Sequence, residues 1–307
     1  VPHAEGILWD DGDIPALAKM TEAVHKHGSL AGIELQHGGY CSSNNYSRIP
    51  PIAPSSIVSS SYNPVQARAM DKADIANFRK WHKKAALRSK QAGFDLIYVY
   101  AAHSGTLLTH FLSRRINKRT DEYGGSLENR ARLTFEIIDG IRAACGPDFS
   151  VGLRLSPERF GMDLGEVRDV AQRVMAEAQI DYLDLSLWDV FKTPMDEAYQ
   201  DRRLIDWFTD LERGEVRLGA AGKLTTGAKC REAMEAGLDF VVVGRGAILH
   251  HDFPQQVLAN PDFEPVSLPV SRAHLRQEGL GERFIDYMSG WKGFVEVPES
   301  AASASPA

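Results

Sequence analysis

Cysteine is scarce: the 307 residues hold three, Cys41, Cys145 and Cys230, far apart and with no C-x-x-C spacing. That leaves no ligand set for a cysteine-held iron–sulfur cluster and argues against a disulfide framework. A run of about 20 apolar residues, the length a membrane-spanning helix needs, is also missing, so no membrane is expected among its partners. Charge is nearly balanced, 35 Lys+Arg against 41 Asp+Glu for a net −6, which offers no general field for nucleic acid or anionic lipid. No basic-then-apolar signal segment opens the chain, and a cytoplasmic enzyme with a small-molecule substrate is the default expectation. The first residue is Val1 rather than Met, which reads as a processed or lost start.

What is present suits a large core: 43% hydrophobic and 25% charged residues are ordinary globular values. Short runs rich in Val, Ile and Leu recur at Leu30–Leu35, Leu96–Tyr100, Ser150–Leu155, Tyr182–Leu187, Val216–Ala220 and Phe240–Val243. Each is followed by a longer helical pattern, and near-continuous apolar runs suit strands buried on both faces of a parallel sheet. Variants of one phrase precede three of them: Ala92-Gly93-Phe94-Asp95, Ala178-Gln179-Ile180-Asp181 and Ala236-Gly237-Leu238-Asp239. A helix ends there, and Gly takes the left-handed position in two of the three. This repeated αβ unit predicts an α/β protein, a barrel or a doubly wound sheet. Ser126 reads as an N-cap, with Ala131, Phe135, Ile138, Ile141 and Cys145 as one apolar stripe. The segments Gly38–Met70 and Ala102–Gly125 read as long loops leaving strand C-terminal ends, the active-site face of a barrel. One domain is expected over 1–296, with a disordered tail at 297–307.

The last two strands end in glycines, Gly219-Ala-Ala-Gly222-Lys223 and Gly244-Arg245-Gly246. Glycines let backbone N–H groups approach a phosphate closely, and Lys223 and Arg245 would add charge. The competing reading is tight turns with solvated basic neighbours. Other strands end in Gln36-His37, Tyr98-Val-Tyr100-Ala-Ala-His103 and Arg154-Leu-Ser156. An Arg pointing into a barrel is expensive unless it meets an anion or an electron-rich ligand. A flavin suits this set, since an amide can pair with its pyrimidine edge and Arg can stabilise negative charge near N1. For Gln36 and His37, simple loop capping is as good an account, and for His103 a satisfied loop histidine competes. His250-His251-Asp252 has no partner at ligand spacing, so no metal is expected there. His25 and His27 read as solvated at a helix end.

The stretch Asn117-Lys-Arg-Thr-Asp-Glu-Tyr-Gly-Gly-Ser-Leu-Glu-Asn-Arg-Ala-Arg132 closely resembles the Old Yellow Enzyme family of FMN-dependent oxidoreductases. The resemblance extends through Ala92–Asp95, His103, Gly152–Ser156 and Gly244-Arg245. It implies an FMN-binding (β/α)8 TIM barrel, with Gln36 and Arg154 at the flavin ring and Gly222, Gly244 and Arg245 at the phosphate. Lys223 is expected beside them. Arg119, Asp121, Glu128 and Arg130 would brace the loop. Tyr100 and His103 match the Tyr-x-x-His pattern of the trimethylamine and dimethylamine dehydrogenase branch, and extension from Asp184-Leu-Ser186 puts Asp196 at that branch's third position, with Asp189 as fallback. Thr193 stands where that branch has an aromatic cage wall, and Gly105 where many ene-reductases have a proton-donating Tyr.

The resemblance implies hydride transfer through flavin N5, with NAD(P)H or an amine as donor and an activated alkene, quinone or other acceptor. Two strands that the family has before Trp9 are absent, so truncation is expected; contacts from a partner chain in a homo-oligomer are the alternative. Two other functions compete: a flavin-free barrel binding a phosphorylated metabolite, and a non-catalytic relic. No Lys falls within the six strands, which counts against a Schiff-base aldolase.

Overall fold

Strands form on the apolar runs. In chain order they are β1 (Gly32–Leu35), β2 (Ile52–Ala53), β3 (Ile57–Val58), β4 (Gln66–Ala69), β5 (Leu96–Ala101), β6 (Ser150–Leu155), β7 (Tyr182–Ser186), β8 (Arg217–Ala221) and β9 (Phe240–Val242). The computed structural model describes residues 6–42, 48–58, 66–177 and 180–296. The tail at 297–307 and the Ala178-Gln179 half of one αβ junction lie outside the described residues. Contacts divide the chain into two compact units, Val1–Leu187 with Phe191–Ala220, and Trp188–Val190 with Ala221–Ala307.

In the first unit the sheet runs β1-β5-β6-β7-β8, and β1, β5, β6 and β7 pair in parallel. Period-two alternation splits its residues. Ile97, Val99, Ala101, Val151, Leu153, Leu155, Leu183 and Leu185 are fully buried. Polar side chains occupy the other face. Helices α1 (Ile14–His25), α2 (Lys72–Gln91), α3 (Leu107–Leu112), α4 (Leu127–Cys145) and α5 (Leu164–Ala176) belong to this unit. α2 opens with a capping box, in which Asp74 N–H donates to Asp71 (2.8 Å) and Asp71 N–H donates to Asp74 (2.9 Å). Ser126 caps α4 by accepting from Asn129 N–H, and the predicted stripe Ala131, Phe135, Ile138, Ile141 and Cys145 is buried.

The repeated αβ junction has a shared hydrogen bond. Asp95 accepts from Ala31 N–H, and Asp181 accepts from Val151 N–H, both at 2.7 Å. Each carboxylate thus ties the start of its strand to the one preceding it in the sheet. Gly93 and Gly237 hold positive φ, 87° and 108°, as the helix-ending role requires. His25 is not merely solvated, because its Nε2 meets Asp95 at 2.8 Å.

The two long loops are partly ordered. β2, β3 and β4 form a small sheet inside Gly38–Met70, and α3, capped by Thr106, is buried inside Ala102–Gly125. Arg130 donates to Gly125 O (3.1 Å), to Leu112 O and to Glu166 (2.6 Å). Arg119 holds Asp121 (2.5 Å), Pro54 O (2.9 Å) and Met70 O (2.5 Å), and Glu128 pairs with Arg173. The family-like stretch therefore braces the loop.

The second unit holds β9 and the helices Gly227–Glu235, Arg245–Leu249, Phe253–Ala259, Arg272–Gln277 and Glu282–Ser289. Its core gathers Leu249, Val270, Leu275, Ile285, Met288, Phe294 and Val295. Among the described residues no helix is long and apolar enough to cross a membrane.

Candidate active site

Parallel register aligns Tyr100 with Arg154 and Arg154 with Asp184, one row of the polar sheet face. The adjoining row aligns Glu34, Tyr98, Gly152 and Tyr182. Gly152 is required there: a Cβ would stand 2.0 Å from the Tyr182 ring, which lies across it and donates its hydroxyl to Ile97 O.

Arg154 is the centre of this face. Its Nη1 is held by Glu34, and its Nε donates to Ser186 Oγ at 2.8 Å while standing 3.0 Å from Asp184 Oδ2. Desolvation opposes its charge, and Asp184 and Glu34 more than restore it. Asp184 is buried, and neither of its oxygens has a hydrogen-bond partner. The 3.0 Å approach to Arg154 is thus an ion pair without hydrogen-bond alignment. Burial pushes the Asp184 carboxyl up to about 6, against the pull of Arg154 and with help from Glu34.

Beside Arg154, whose guanidinium lies 5.6 Å from the Tyr100 ring centre, Tyr100 and His103 are hydrogen-bonded through the phenol and Nδ1. Burial raises the Tyr100 phenol to about 12. Packing around His103, and then the Arg154 charge, lower the imidazole from its ordinary value although its edge is exposed. With the phenol protonated and the ring neutral, the more acidic O–H donates to Nδ1 and the ring hydrogen sits on Nε2. His103 has φ 61°, and its backbone N–H donates to Ser156 Oγ at 2.8 Å. A left-handed non-glycine residue held this way re-aims its side chain.

Gln36 is exposed, lines a cavity of about 680 Å³ beside β1 and makes no hydrogen bond among the described residues. His37 is structural: Gly39 N–H donates to its Nδ1 at 3.0 Å, and its ring stacks on Trp81. Among the described residues Asp196 makes no hydrogen bond or ion pair with His103. It is exposed and accepts from Ala198 N–H at 3.0 Å, capping a short turn.

In the second unit a Cβ on Gly222 would stand 2.9 Å from Asp189 N, while one on Gly244 would meet nothing within 4 Å. Lys223 is paired with Asp189 at 2.9 Å, so the fallback carboxylate neutralises the proposed phosphate lysine. Arg245 is half-buried and makes no ion pair among the described residues. Glu278 joins the histidine pair, with ligand atoms of His250, Asp252 and Glu278 within 4.8 Å of one another. These atoms are already used: Val266 N–H donates to His250 Nε2 (3.0 Å), and His251 N–H donates to Glu278 (2.8 Å).

The model of the NADH:flavin oxidoreductase / NADH oxidase family matches residues 3–261. The chain belongs to this family. An NADPH dehydrogenase of Bacillus cytotoxicus is 34% identical over 264 residues, 84% of this chain and 73% of that protein. Histamine dehydrogenase from Rhizobium sp. 4-9 superposes with a TM-score of 0.71 at 35% identity. That match covers 83% of this chain but 38% of histamine dehydrogenase, so the chain spans under two-fifths of it. Morphinone reductase, solved in complex with tetrahydroNAD, gives 0.72 at 27% identity over 90% of this chain and 78% of its own. The fold is the α/β architecture of these TIM-barrel enzymes, and the described residues supply β1 and β5 to β9 of the eight barrel strands. Membership brings the chemical class, oxidoreduction through a flavin with a nicotinamide dinucleotide.

Within the first unit the donors fit the ring of such a group. An unpartnered amide at Gln36 suits a pyrimidine edge, and the Arg154 guanidinium suits developing negative charge. Within the second unit, the open space at Gly244 and Arg245, without an ion pair among the described residues, suit a phosphate. Sequence reasoning missed Glu34 and Asp184, whose signal was faint: acidic residues at alternating positions within apolar strands.

Proposed function

We propose that the chain acts as an FMN-dependent NAD(P)H:acceptor oxidoreductase that reduces an activated alkene, quinone or other small-molecule acceptor. The observation that carries this reading is the hydrogen-bonded Tyr100–His103 pair beside Arg154 on one polar sheet face. Bound FMN supplies hydride acceptance and donation at N5. Gln36 and Arg154 would hold its ring, and Gly222, Gly244 and Arg245 its phosphate, with Lys223 already neutralised by Asp189. His103 Nε2–H donates to an electron-rich atom of the acceptor and so orients it. Tyr100 keeps its proton at neutral pH and can pass it to a developing anion, in place of the tyrosine that Gly105 does not supply. With Cys41, Cys145 and Cys230 scattered, we infer that electrons leave without a cluster held by these residues.

The test is a visible spectrum after adding FMN and removing the excess. A retained flavin band that bleaches anaerobically with NADPH is expected; retention without bleaching by NADH or NADPH overturns the donor assignment. Amine oxidation is the second reading, favoured by the Tyr100/His103 pairing and opposed by Thr193. Enones assayed against methylated amines separate the two.

A further inference from the structure

We propose that Asp184 is a proton-holding residue of the redox site, binding a proton from solvent when the group at Arg154 gains negative charge and returning it when that charge leaves. This rests on the flavin reading above. The geometry is that of a charge imbalance: one guanidinium, Arg154, faces two carboxylates, Glu34 and Asp184. Glu34 takes a hydrogen bond from Arg154, whereas Arg154 Nε gives its hydrogen to Ser186. Asp184 is left with both oxygens buried and without a hydrogen bond, held only by the charge of Arg154, its side chain 1% exposed. A carboxylate so placed is stabilised by charge alone, and it is the group that a further negative charge would neutralise first.

The groups facing Asp184 are Glu34 from β1, Tyr98 and Tyr100 from β5, Arg154 from β6, and Tyr182 on its own strand. Burial keeps the Tyr98 and Tyr100 phenols protonated to about 12. The Asp184 carboxyl, raised to about 6, is poised close to neutrality. Hydride from NAD(P)H carries two electrons and one proton, releases NAD(P)⁺ and leaves one negative charge on the bound ring system. The Asp184 carboxylate then takes one H⁺ from solvent and becomes a neutral carboxyl. When hydride passes to the acceptor, that charge disappears and the proton returns to solvent. The couple therefore takes up two protons per two electrons while Asp184 cycles, and one when it does not.

The experiment measures midpoint potential against pH on the FMN-loaded full chain. Above about pH 6, the unmodified protein is expected to show the two-proton slope and Asp184→Asn the one-proton slope, a two-fold drop. Glu34→Gln removes a charge that raises Asp184, so it is expected to move the onset of the two-proton region to lower pH. Infrared titration of the flavin-free chain is expected to show a protonated-carboxyl band that grows as pH falls through about 6 and is missing in Asp184→Asn. Equal slopes in loaded Asp184→Asn and unmodified protein overturn the proposal. If Asp184→Asn does not fold, an onset unmoved by Glu34→Gln overturns it. Failure to retain FMN overturns the flavin reading instead, and the infrared titration still reports the state of Asp184.

Discussion

Tyr100 and Arg154 touch each other's fields and yet should fail differently when changed. Tyr100→Phe removes the hydroxyl that binds His103 Nδ1 and keeps the ring beside Arg154. We expect turnover to fall roughly tenfold or more with little change in FMN retention, read by steady-state assay and by flavin content after gel filtration. Equal activity would return Tyr100 to a structural role. Arg154→Ala leaves Glu34 and Asp184 facing each other without their shared cation. Urea unfolding should show a loss of about 3 kcal/mol at pH 8. The loss should be smaller at pH 5, where the Asp184 carboxyl, raised to about 6, is already neutral. Loss of FMN affinity is expected as well. Arg154 was legible because an Arg inside an apolar strand is conspicuous. The turn that Asp196 caps at Ala198 was not legible, since ungapped extension from β7 carries no information on local turn geometry.

Elements follow local rules where their signals are long. The six apolar runs became β1 and β5 to β9 within a residue or two, and α4 starts at its predicted cap. β2, β3 and α3 were not legible: two-residue strands and a six-residue helix are too short for a period to show. The brace formed by Arg130 is an element-scale device, because it fixes the loop before α4 to the end of α3. Arg130 is 2% exposed and paired with Glu166. Arg130→Ala should cost about 2 kcal/mol, since it leaves the buried Leu112 carbonyl without its donor, while Glu166 keeps Arg114. Urea denaturation together with faster proteolysis between residues 113 and 126 would check it. Asp71→Ala removes the α2 capping box and should cost about 1 kcal/mol in the same assay.

At the scale of the molecule, buried histidines set the response to acid. Burial holds His37, His82 and His110 down to about 4, whereas an unfolded chain binds those protons near 6.5. The unfolded state therefore binds more protons between these values. Stability is fully present above about pH 6.5 and falls as pH drops toward 4, by on the order of 3 kcal/mol per histidine. Asp184 acts oppositely: its raised carboxyl destabilises the fold at neutral pH, and protonation relieves that below about 6. Melting temperature should fall over pH 6.5 to 4, with a shallower fall in His110→Gln, which removes one of these three protonation sites; parallel profiles would refute this. By itself the sequence determined the strand runs, the helix caps, the glycine-rich strand ends and the family, because periodicity and near-neighbour hydrogen bonds depend on a few consecutive residues. Only the tertiary structure decided that Arg154 meets Glu34, 120 residues away, that Asp184 lies buried beside Arg154 without a hydrogen bond, and that Lys223 pairs with Asp189. These contacts depend on strand register and burial, which set each side chain's neighbours and its access to water.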